Sequence, residues 1–440
     1  MTKPNPCSCR DDKHVKKYFI PILITQIFVG CFQFRQTESA PVVETAQITK
    51  AFPTEAETVW STYDPNPSHL WNRVFRQLYR RTSMDGMEYG ADELDPLLWP
   101  DTTYLVNGGV SQQQAIEVLD EFLAAHAEDL IHDPLKRAMF QHDLWAVFDW
   151  LASQPEPYPT QRHALATRLA QIIRSVALSR AEISSLPDNY TLEVEAHTFL
   201  SHVSVNHPEA AFLPSDIFQP DGAWVPMGRE GGPIAMTHTE SFPFFGRSVF
   251  LVYVHPSEGR TAALDFINAL NTDPSQALTT GLEIALIRRM LLIDDQGEPA
   301  LSPLVESVQL RHFSPAQNFH EFELSRAHLF HSHAGGLVLK EDLFLLFMSH
   351  GDPFGIPGLP LKATIPQICK GCHFESPPLP NPSNTQSIIS YSRDPFPLPE
   401  REKPILFAVT SEAEAQTVIQ WKLNHETWKS LEELWTQNRP

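Results

Sequence analysis

Residues 283–293 read EIALIRRMLLI, residues 294–297 read DDQG, and residues 304–313 read LVESVQLRHF. The two apolar runs have the length and composition of strands, and the polar DDQG tetrapeptide that follows the first run is typical of a tight turn. A connection this short joins antiparallel neighbours. The stretch therefore predicts a β-hairpin and a mainly antiparallel sheet in the middle of the chain.

Further elements are predicted on both sides of this hairpin. Residues 248–254 form a continuous apolar run that is typical of a buried strand, and residues 319–324 predict another strand. Residues 192–205 and 405–409 also have strand-like patterns, whereas residues 261–270 predict a helix. Together these segments predict an α+β fold.

The region before the sheet has helical periodicity from residue 66 to residue 184. Ser111 followed by Gln114 resembles a capping box, and apolar residues recur after it at helical spacing. Two more helices are expected at residues 134–151 and 161–178. We therefore expect a helical domain before the α+β domain.

The end of the chain combines a proline-rich segment with a final helix. Ser411 and Glu414 have capping-box spacing and predict a helix over residues 411–435. The organisation predicted for the whole chain is a signal peptide (1–30), a tether (31–60), a helical domain (61–186), an α+β domain with an antiparallel sheet (187–345), a proline-rich loop segment (346–404), and a C-terminal strand and helix (405–440).

Composition and charge exclude several classes of protein. The 440 residues suffice for two or three domains or one large one. A compact helical bundle is disfavoured because 38 prolines stand against 19 glycines. With 33 basic and 53 acidic residues the formal charge is −20, and such a surface repels phosphate backbones. Nucleic acid is therefore not an expected partner.

The N terminus has the pattern of an export signal. Lys13, Lys16 and Lys17 precede an apolar stretch at residues 18–30, which ends in Gly30 before Cys31. This arrangement resembles the lipobox of bacterial lipoproteins, which implies cleavage before Cys31 and acylation of that cysteine. The alternatives are an uncleaved signal anchor and an ordinary core segment. The lipoprotein interpretation predicts a lipid-anchored protein on the periplasmic side of a bacterial membrane, the outer membrane in a Gram-negative cell.

A second cysteine motif indicates a cofactor. Cys369-Lys370-Gly371-Cys372-His373 is C-x-x-C-H, the attachment pattern of c-type haem. Two thiols at this spacing reach the two vinyl groups on one edge of the haem, and the adjacent histidine supplies the proximal iron ligand. We therefore expect one covalent haem c in the proline-rich segment. Three other interpretations stay open: a redox dithiol, a zinc site, and a purely structural cysteine pair.

The sixth iron ligand is predicted to be His350, which lies in a turn-forming stretch shortly before the motif; the alternative is that His350 caps a turn. Arg326 and Arg393 are candidates to bind the haem propionates, because guanidinium groups match carboxylates, although surface ion pairs are the simpler role. The other candidate ligands are His328, His331, His333, Met348 and His425.

The chain as a whole resembles exported bacterial lipoproteins of uncharacterised function that carry a single C-x-x-C-H late in the sequence. The segments that carry this resemblance are residues 72–98, 213–226, 245–254, 324–337 and 349–391.

Three functions remain open. The first is one-electron transfer or redox sensing with an unknown redox partner protein. The second is a haem enzyme, peroxidase-like or gas-binding, with an open distal side. The third is a non-haem scaffold or interaction protein of the cell envelope.

Overall fold

A computed structural model of the chain describes residues 62–437 with several gaps. The gaps are residues 83–87, 93–103, 107, 155–159, 205, 208, 241–243, 273–279, 314–317, 332–333, 341–343, 348–361 and 365–404.

A seven-stranded antiparallel sheet forms the centre of the described part. Its strands are β3 (Val225–Arg229), β4 (Ser248–His255), β5 (Glu283–Ile293), β6 (Pro299–His312), β7 (Asn318–Leu324), β8 (Leu337–Leu339) and β11 (Leu406–Ala408). They lie in the order β11-β3-β4-β5-β6-β7-β8. The predicted hairpin is confirmed as β5 and β6, and the strands predicted at residues 248–254, 319–324 and 405–409 are confirmed as β4, β7 and β11.

Two short ribbons lie outside this sheet. The first pairs β1 (Arg81–Thr82) with β2 (Glu88–Tyr89). The second pairs β9 (Phe344–Phe347) with β10 (Lys362–Thr364), again antiparallel.

Helices surround the sheet, and the described structure is therefore a mixture of helix and antiparallel sheet, as predicted. No helix in the described part of the chain is both long and apolar enough to cross a membrane. The helices are α1 (Leu70–Leu78), α2 (Val110–Ala124), α3 (Pro134–Ser153), α4 (Thr160–Ser175), α5 (Arg180–Ser184), α6 (Asn189–Glu195), α7 (Met236–Glu240), α8 (Arg260–Thr272), α9 (Arg326–His331), α10 (Ser411–Asn424) and α11 (Glu426–Gln437).

Helix α3 is the central helix of the layer that packs on the sheet. The Asp133 carboxylate accepts hydrogen bonds from the backbone N–H groups of Leu135 and Lys136, and Pro134 occupies the first helical position. All residues from Ala138 to Leu151 are buried, so the helix has no solvent-facing side over this length.

The two faces of the sheet have different neighbours. One face, which we call the core face, bears a row of cross-strand neighbours: Leu251, Ile287, Val308 and Phe322. These four residues belong to one hydrophobic core together with residues of α1 to α4, α10 and α11. The regions predicted as helical and α+β domains therefore share a core.

The opposite face, which we call the outer face, bears the next row: Val252, Leu286, Gln309 and Glu321. Helix α8 covers part of it through a smaller cluster that includes Val225, Val254 and Ile284.

Three side-chain amides complete the hydrogen bonding of irregular strand positions. Each amide accepts from the N–H and donates to the C=O of a single residue, as a neighbouring strand would. The pairs are Gln141 with Ile293, Asn189 with Val305, and Asn271 with Leu406. Because a buried backbone group without a partner is costly, these amides fix α3, α6 and α8 to the sheet.

Several local predictions are wrong. The strand expected at residues 192–205 is not formed over its described part, residues 192–204. Its first residues belong to α6, because the Asp188 side chain caps that helix through the N–H of Thr191. Ser111 lies inside the first turn of α2, whose N-cap is Gly109 without a side-chain hydrogen bond. The sequence pattern was compatible with both outcomes, and tertiary contacts decided between them.

The predicted C-terminal helix is two helices. His425 has an extended backbone with φ −74° and ψ 147°, and this residue separates α10 from α11. The cap of α10 is Thr410 rather than Ser411. Glu414, the other half of the expected capping box, instead accepts a hydrogen bond from the N–H of Ile234 at 2.6 Å.

Candidate functional site

The residues predicted to bind haem and lipid all lie outside the described residues. The structure therefore describes other parts of the chain and bears on none of these predicted roles. These residues are Cys369, Cys372, His373, His350 and Cys31, and the same holds for Met348, His333 and Arg393.

His425, one alternative iron ligand, is held in an unsuitable tautomer. Its Nδ1 accepts a hydrogen bond from the backbone N–H of Thr427 at the start of α11. The neutral ring must then carry its proton on Nε2, and a protonated nitrogen does not bind a metal. The ring also stacks on Trp421, with 4.8 Å between the centroids. This histidine is therefore built in as a helix cap.

His331 has the opposite tautomer. It is the last residue of α9. Its Nδ1 lies 3.1 Å from the carbonyl oxygen of Ala327. A carbonyl only accepts, so Nδ1 donates its proton and Nε2 keeps its lone pair on an exposed ring. When a histidine binds a metal through one ring nitrogen, the other commonly donates its proton to a backbone carbonyl in this way.

Arg326 is not available to bind propionates. It is 1% exposed, and its Nη2 donates to Asp143, whose other oxygen accepts a 2.6 Å hydrogen bond from the Tyr63 hydroxyl. Burial, followed by the charge of Asp143, raises the pKa of Tyr63 well above its ordinary value. Arg326 does form an ion pair, but the surface location expected for it is wrong, because both side chains are buried.

A second buried ion cluster joins α3 to α10 and to the loop before β4. Asp149 Oδ2 accepts from Arg247 at 3.0 Å and from Lys422 at 2.6 Å. The Lys422 ammonium also donates to the Phe245 carbonyl and to the Thr427 hydroxyl, so all three of its protons are used. Burial lowers the pKa of Lys422 to about 8, against the opposing effect of Asp149.

A third cluster joins α3 to the sheet. His142 Nε2 lies 3.3 Å from Glu306 Oε1, and the other Glu306 oxygen lies 3.9 Å from Arg288 Nε. Burial, and then the charges of Arg247, Arg288 and Arg326, lower the pKa of His142 well below its ordinary value. The imidazole is therefore neutral at physiological pH. The three clusters have the character of structural polar networks in a core.

One cluster of titratable groups reaches solvent. His255, Glu283 and His312 are direct neighbours on β4, β5 and β6. The His255 Nδ1 lies 2.7 Å from Glu283 Oε2, and the His312 Nδ1 lies 3.3 Å from Glu283 Oε1. Trp224 stacks on the His255 ring at 4.8 Å. The hydrogen bond to Glu283 fixes the orientation of the His255 ring.

A polar patch occupies the outer face of β5, β6 and β7, and its members are direct cross-strand neighbours. Arg288, Ser307 and Glu323 form one row of it, and Gln309 and Glu321 form the next. Gln309 donates to Glu321 Oε1 at 3.2 Å, whereas Glu321 Oε2 accepts no hydrogen bond. Burial, and then the charge of Glu323, raise the pKa of Glu321 well above its ordinary value. We call these five residues the outer-face patch.

No group of three or more His, Cys, Asp or Glu side chains among the described residues is arranged to hold a metal ion. The patch and the ion clusters were not foreseen from the sequence. Only the patch could have been inferred from the sequence. Polar residues alternate there with apolar ones along two strands, which places the polar residues on one face of the sheet: Ser307, Gln309, Glu321 and Glu323.

Comparisons with protein-family models, with curated proteins and with solved structures found no match to this chain.

Proposed function

We propose that this protein is a lipid-anchored, extracytoplasmic protein with one covalent haem c that transfers single electrons or senses redox state. The observation that carries the proposal is Cys369-Lys370-Gly371-Cys372-His373 in a chain whose N terminus has the pattern of an export signal. Haem c is attached outside the cytoplasm, so the two features support each other. Cys31 is the proposed acylation site and provides the membrane attachment.

In this proposal each motif residue has one role. Cys369 and Cys372 form the thioethers, and His373 is the proximal ligand. When bound, haem supplies a one-electron iron couple, and the protein sets its potential through ligation and burial. The proposed sixth ligand is His350. The tautomer of His425 argues against that histidine, whereas the geometry of His331 makes it the alternative to test.

The test is the visible spectrum and the intact mass of the mature protein, produced with an export signal and c-type maturation machinery. The expected result is a haem spectrum and a mass increment that survives denaturation, both lost in the Cys369→Ala/Cys372→Ala variant. A colourless protein with the mass of the bare chain would refute the haem proposal. The envelope scaffold interpretation would then take its place.

The spin state of the iron separates electron transfer from haem enzymology. A six-coordinate low-spin iron is expected for an electron-transfer protein, and a five-coordinate high-spin iron indicates the open distal side of a peroxidase-like or gas-binding protein. Comparison of His350→Ala with His331→Ala identifies the sixth ligand, because only loss of the true ligand converts low-spin iron to high-spin. If neither variant does so, both assignments are wrong.

A further inference from the structure

Arg289 on β5 is a half-buried arginine that forms no ion pair with any carboxylate among the described residues. Its Nη2 donates a hydrogen bond to the carbonyl oxygen of Ser302 at 2.9 Å, whereas its buried Nε–H has no acceptor. A guanidinium that has lost part of its hydration needs both hydrogen-bond acceptors and a compensating charge. The surroundings of Arg289 supply one acceptor and no paired anion.

A pair of hydroxyl groups accompanies this guanidinium. Tyr253 Oη and Ser411 Oγ lie 2.6 Å apart, and neither has a further hydrogen-bond partner in the described part of the chain. One of the two hydroxyl protons is used between them, so the other is left to donate to another acceptor. Burial raises the pKa of Tyr253 to about 12, so the phenol keeps its proton at physiological pH. Burial also lowers the pKa of Arg289, and the largest opposing effect comes from Tyr253.

The guanidinium and the hydroxyl pair lie on the same face of the sheet. Arg289 is two positions from Ile287, and Tyr253 is two positions from Leu251, so both belong to the core face. The Phe218 ring lies against both of them, with its centroid 5.9 Å from Arg289 Cζ and 6.1 Å from the centroid of the Tyr253 ring. An aromatic ring beside a guanidinium leaves the N–H groups at its edge able to bind oxygen atoms.

We propose that Arg289, Tyr253 and Ser411 bind a small oxyanion, the carboxylate or phosphate group of a ligand. The planar guanidinium matches two oxygen atoms of such a group, and the remaining hydroxyl proton donates to it as well. The anion supplies the charge that Arg289 lacks. Asp188 and Glu412 are exposed carboxylates whose charges also act on Arg289, so they weaken the binding of any anion. The site does not depend on the proposed haem.

The site is tested by equilibrium dialysis of the full chain against inorganic phosphate and, separately, against acetate, at constant ionic strength. We expect saturable binding of at least one of the two anions, and the tighter one identifies the class of oxyanion. Arg289→Gln should lower the affinity at least about tenfold, because the amide can keep the hydrogen bond to Ser302 but carries no charge. Arg168→Gln is the matched control and should leave the affinity unchanged, since the charge of Arg168 is already paired with Asp120 at 2.6 Å.

Two further variants keep the proposal testable if Arg289→Gln does not fold. The double variant Tyr253→Phe/Ser411→Ala removes both hydroxyl groups and should weaken binding about threefold or more. Glu412→Gln removes an exposed negative charge near the site and should tighten binding about twofold to fivefold. The absence of saturable binding of either anion, an equal loss of affinity in Arg168→Gln and Arg289→Gln, or an unchanged affinity in the double variant or in Glu412→Gln would overturn the proposed site.

Discussion

Replacement of Asp149 by asparagine is expected to lower the free energy of unfolding by about 3–5 kcal/mol. Asp149 Oδ2 accepts hydrogen bonds from Arg247 and Lys422, and the three side chains are at most 2% exposed. The amide keeps the shape of the carboxylate but removes the negative charge that both buried cations share. An uncompensated charge in the core is among the costliest single changes to a protein.

Lys422→Met is the matched control. It removes one cation and leaves the Asp149–Arg247 ion pair, while methionine fills most of the volume of the lysine stem. The Phe245 carbonyl and the Thr427 hydroxyl each lose a donor, which we expect to cost about 1–3 kcal/mol in total. In the Lys422→Met background, Asp149→Asn should cost less than in the wild type, because it then leaves one cation instead of two without the carboxylate.

The pH dependence gives the reasoning a second check. Burial lowers the pKa of Lys422 from 10.5 to about 8 in the folded state, so the unfolded chain binds more protons between these values and stability rises with pH across this window. Asp149→Asn removes the anion that favours the protonated amine, so the window extends below pH 8. The Asp149→Asn variant should therefore recover part of its lost stability between pH 7 and pH 9, and Lys422→Met should abolish this recovery in the double variant.

The assay is urea unfolding followed by tryptophan fluorescence at pH 7 and pH 9. Trp145 is a local reporter, because its ring lies 5.1 Å from the Lys422 amine. Two results would contradict a shared role of Asp149 for both cations: a cost of Asp149→Asn no greater than that of Lys422→Met at unchanged m-value, or the same cost of Asp149→Asn at both pH values.

Three further outcomes follow from the described contacts. Burial raises the pKa of Glu414 to about 7, so the contribution of this carboxyl group to stability should fall as pH rises from about 4.5 to about 7. Urea unfolding at stepped pH should show that Glu414→Gln removes this contribution, so that stability rises more steeply, or falls less, with pH than in the wild type; an unchanged slope contradicts it. Tyr63→Phe leaves one Asp143 oxygen without its donor and should lower the free energy of unfolding by about 1–3 kcal/mol in the same urea assay. A change near zero would show that this hydrogen bond does not stabilise the fold. Asn271→Ala removes both hydrogen bonds between the Asn271 side chain and the backbone of Leu406. Hydrogen-exchange mass spectrometry should then show amide exchange in β11 accelerated at least about tenfold, while exchange in β4 stays unchanged. Unchanged exchange in both strands would contradict this.

The parts of the fold that are local in sequence were predictable. The hairpin of β5 and β6 follows from two apolar runs and the turn between them, and helix α8 follows from periodicity within 13 residues. The strand predicted at residues 192–205 is wrong, although the threonine, valine and phenylalanine of this segment favour a strand by composition. The Asp188 cap and the contact of Asn189 with β6 favour a helical turn instead. Short segments with mixed signals are decided by such distant contacts.

The sheet order and the buried charges were not predictable from pattern. Leu406 pairs with Arg229 across most of the second half of the chain, and nothing in either segment specifies the other. Asp149 and Lys422 are separated by 273 positions. A single charged residue in an apolar helix is normally predicted to face solvent, because charged residues are seldom buried without a partner. The partner is known only once the fold has brought the two residues together. For the proposed haem ligands the order is reversed, because C-x-x-C-H is a local pattern that is visible in the sequence before any fold is known.

The buried polar residues of α3 supply information that its apolar residues cannot. A helix buried on all sides has no amphipathic stripe to define which side faces the sheet. In α3 that information comes from Gln141, which bonds to the end of β5, from Asp143, which pairs with α9, and from Asp149, which pairs with Arg247 and α10. Because each side chain points to a different element, only one rotation and one axial position satisfy all three. Apolar replacements of similar size would remove this constraint, so we infer that the ion clusters contribute to the uniqueness of the packing more than to its stability.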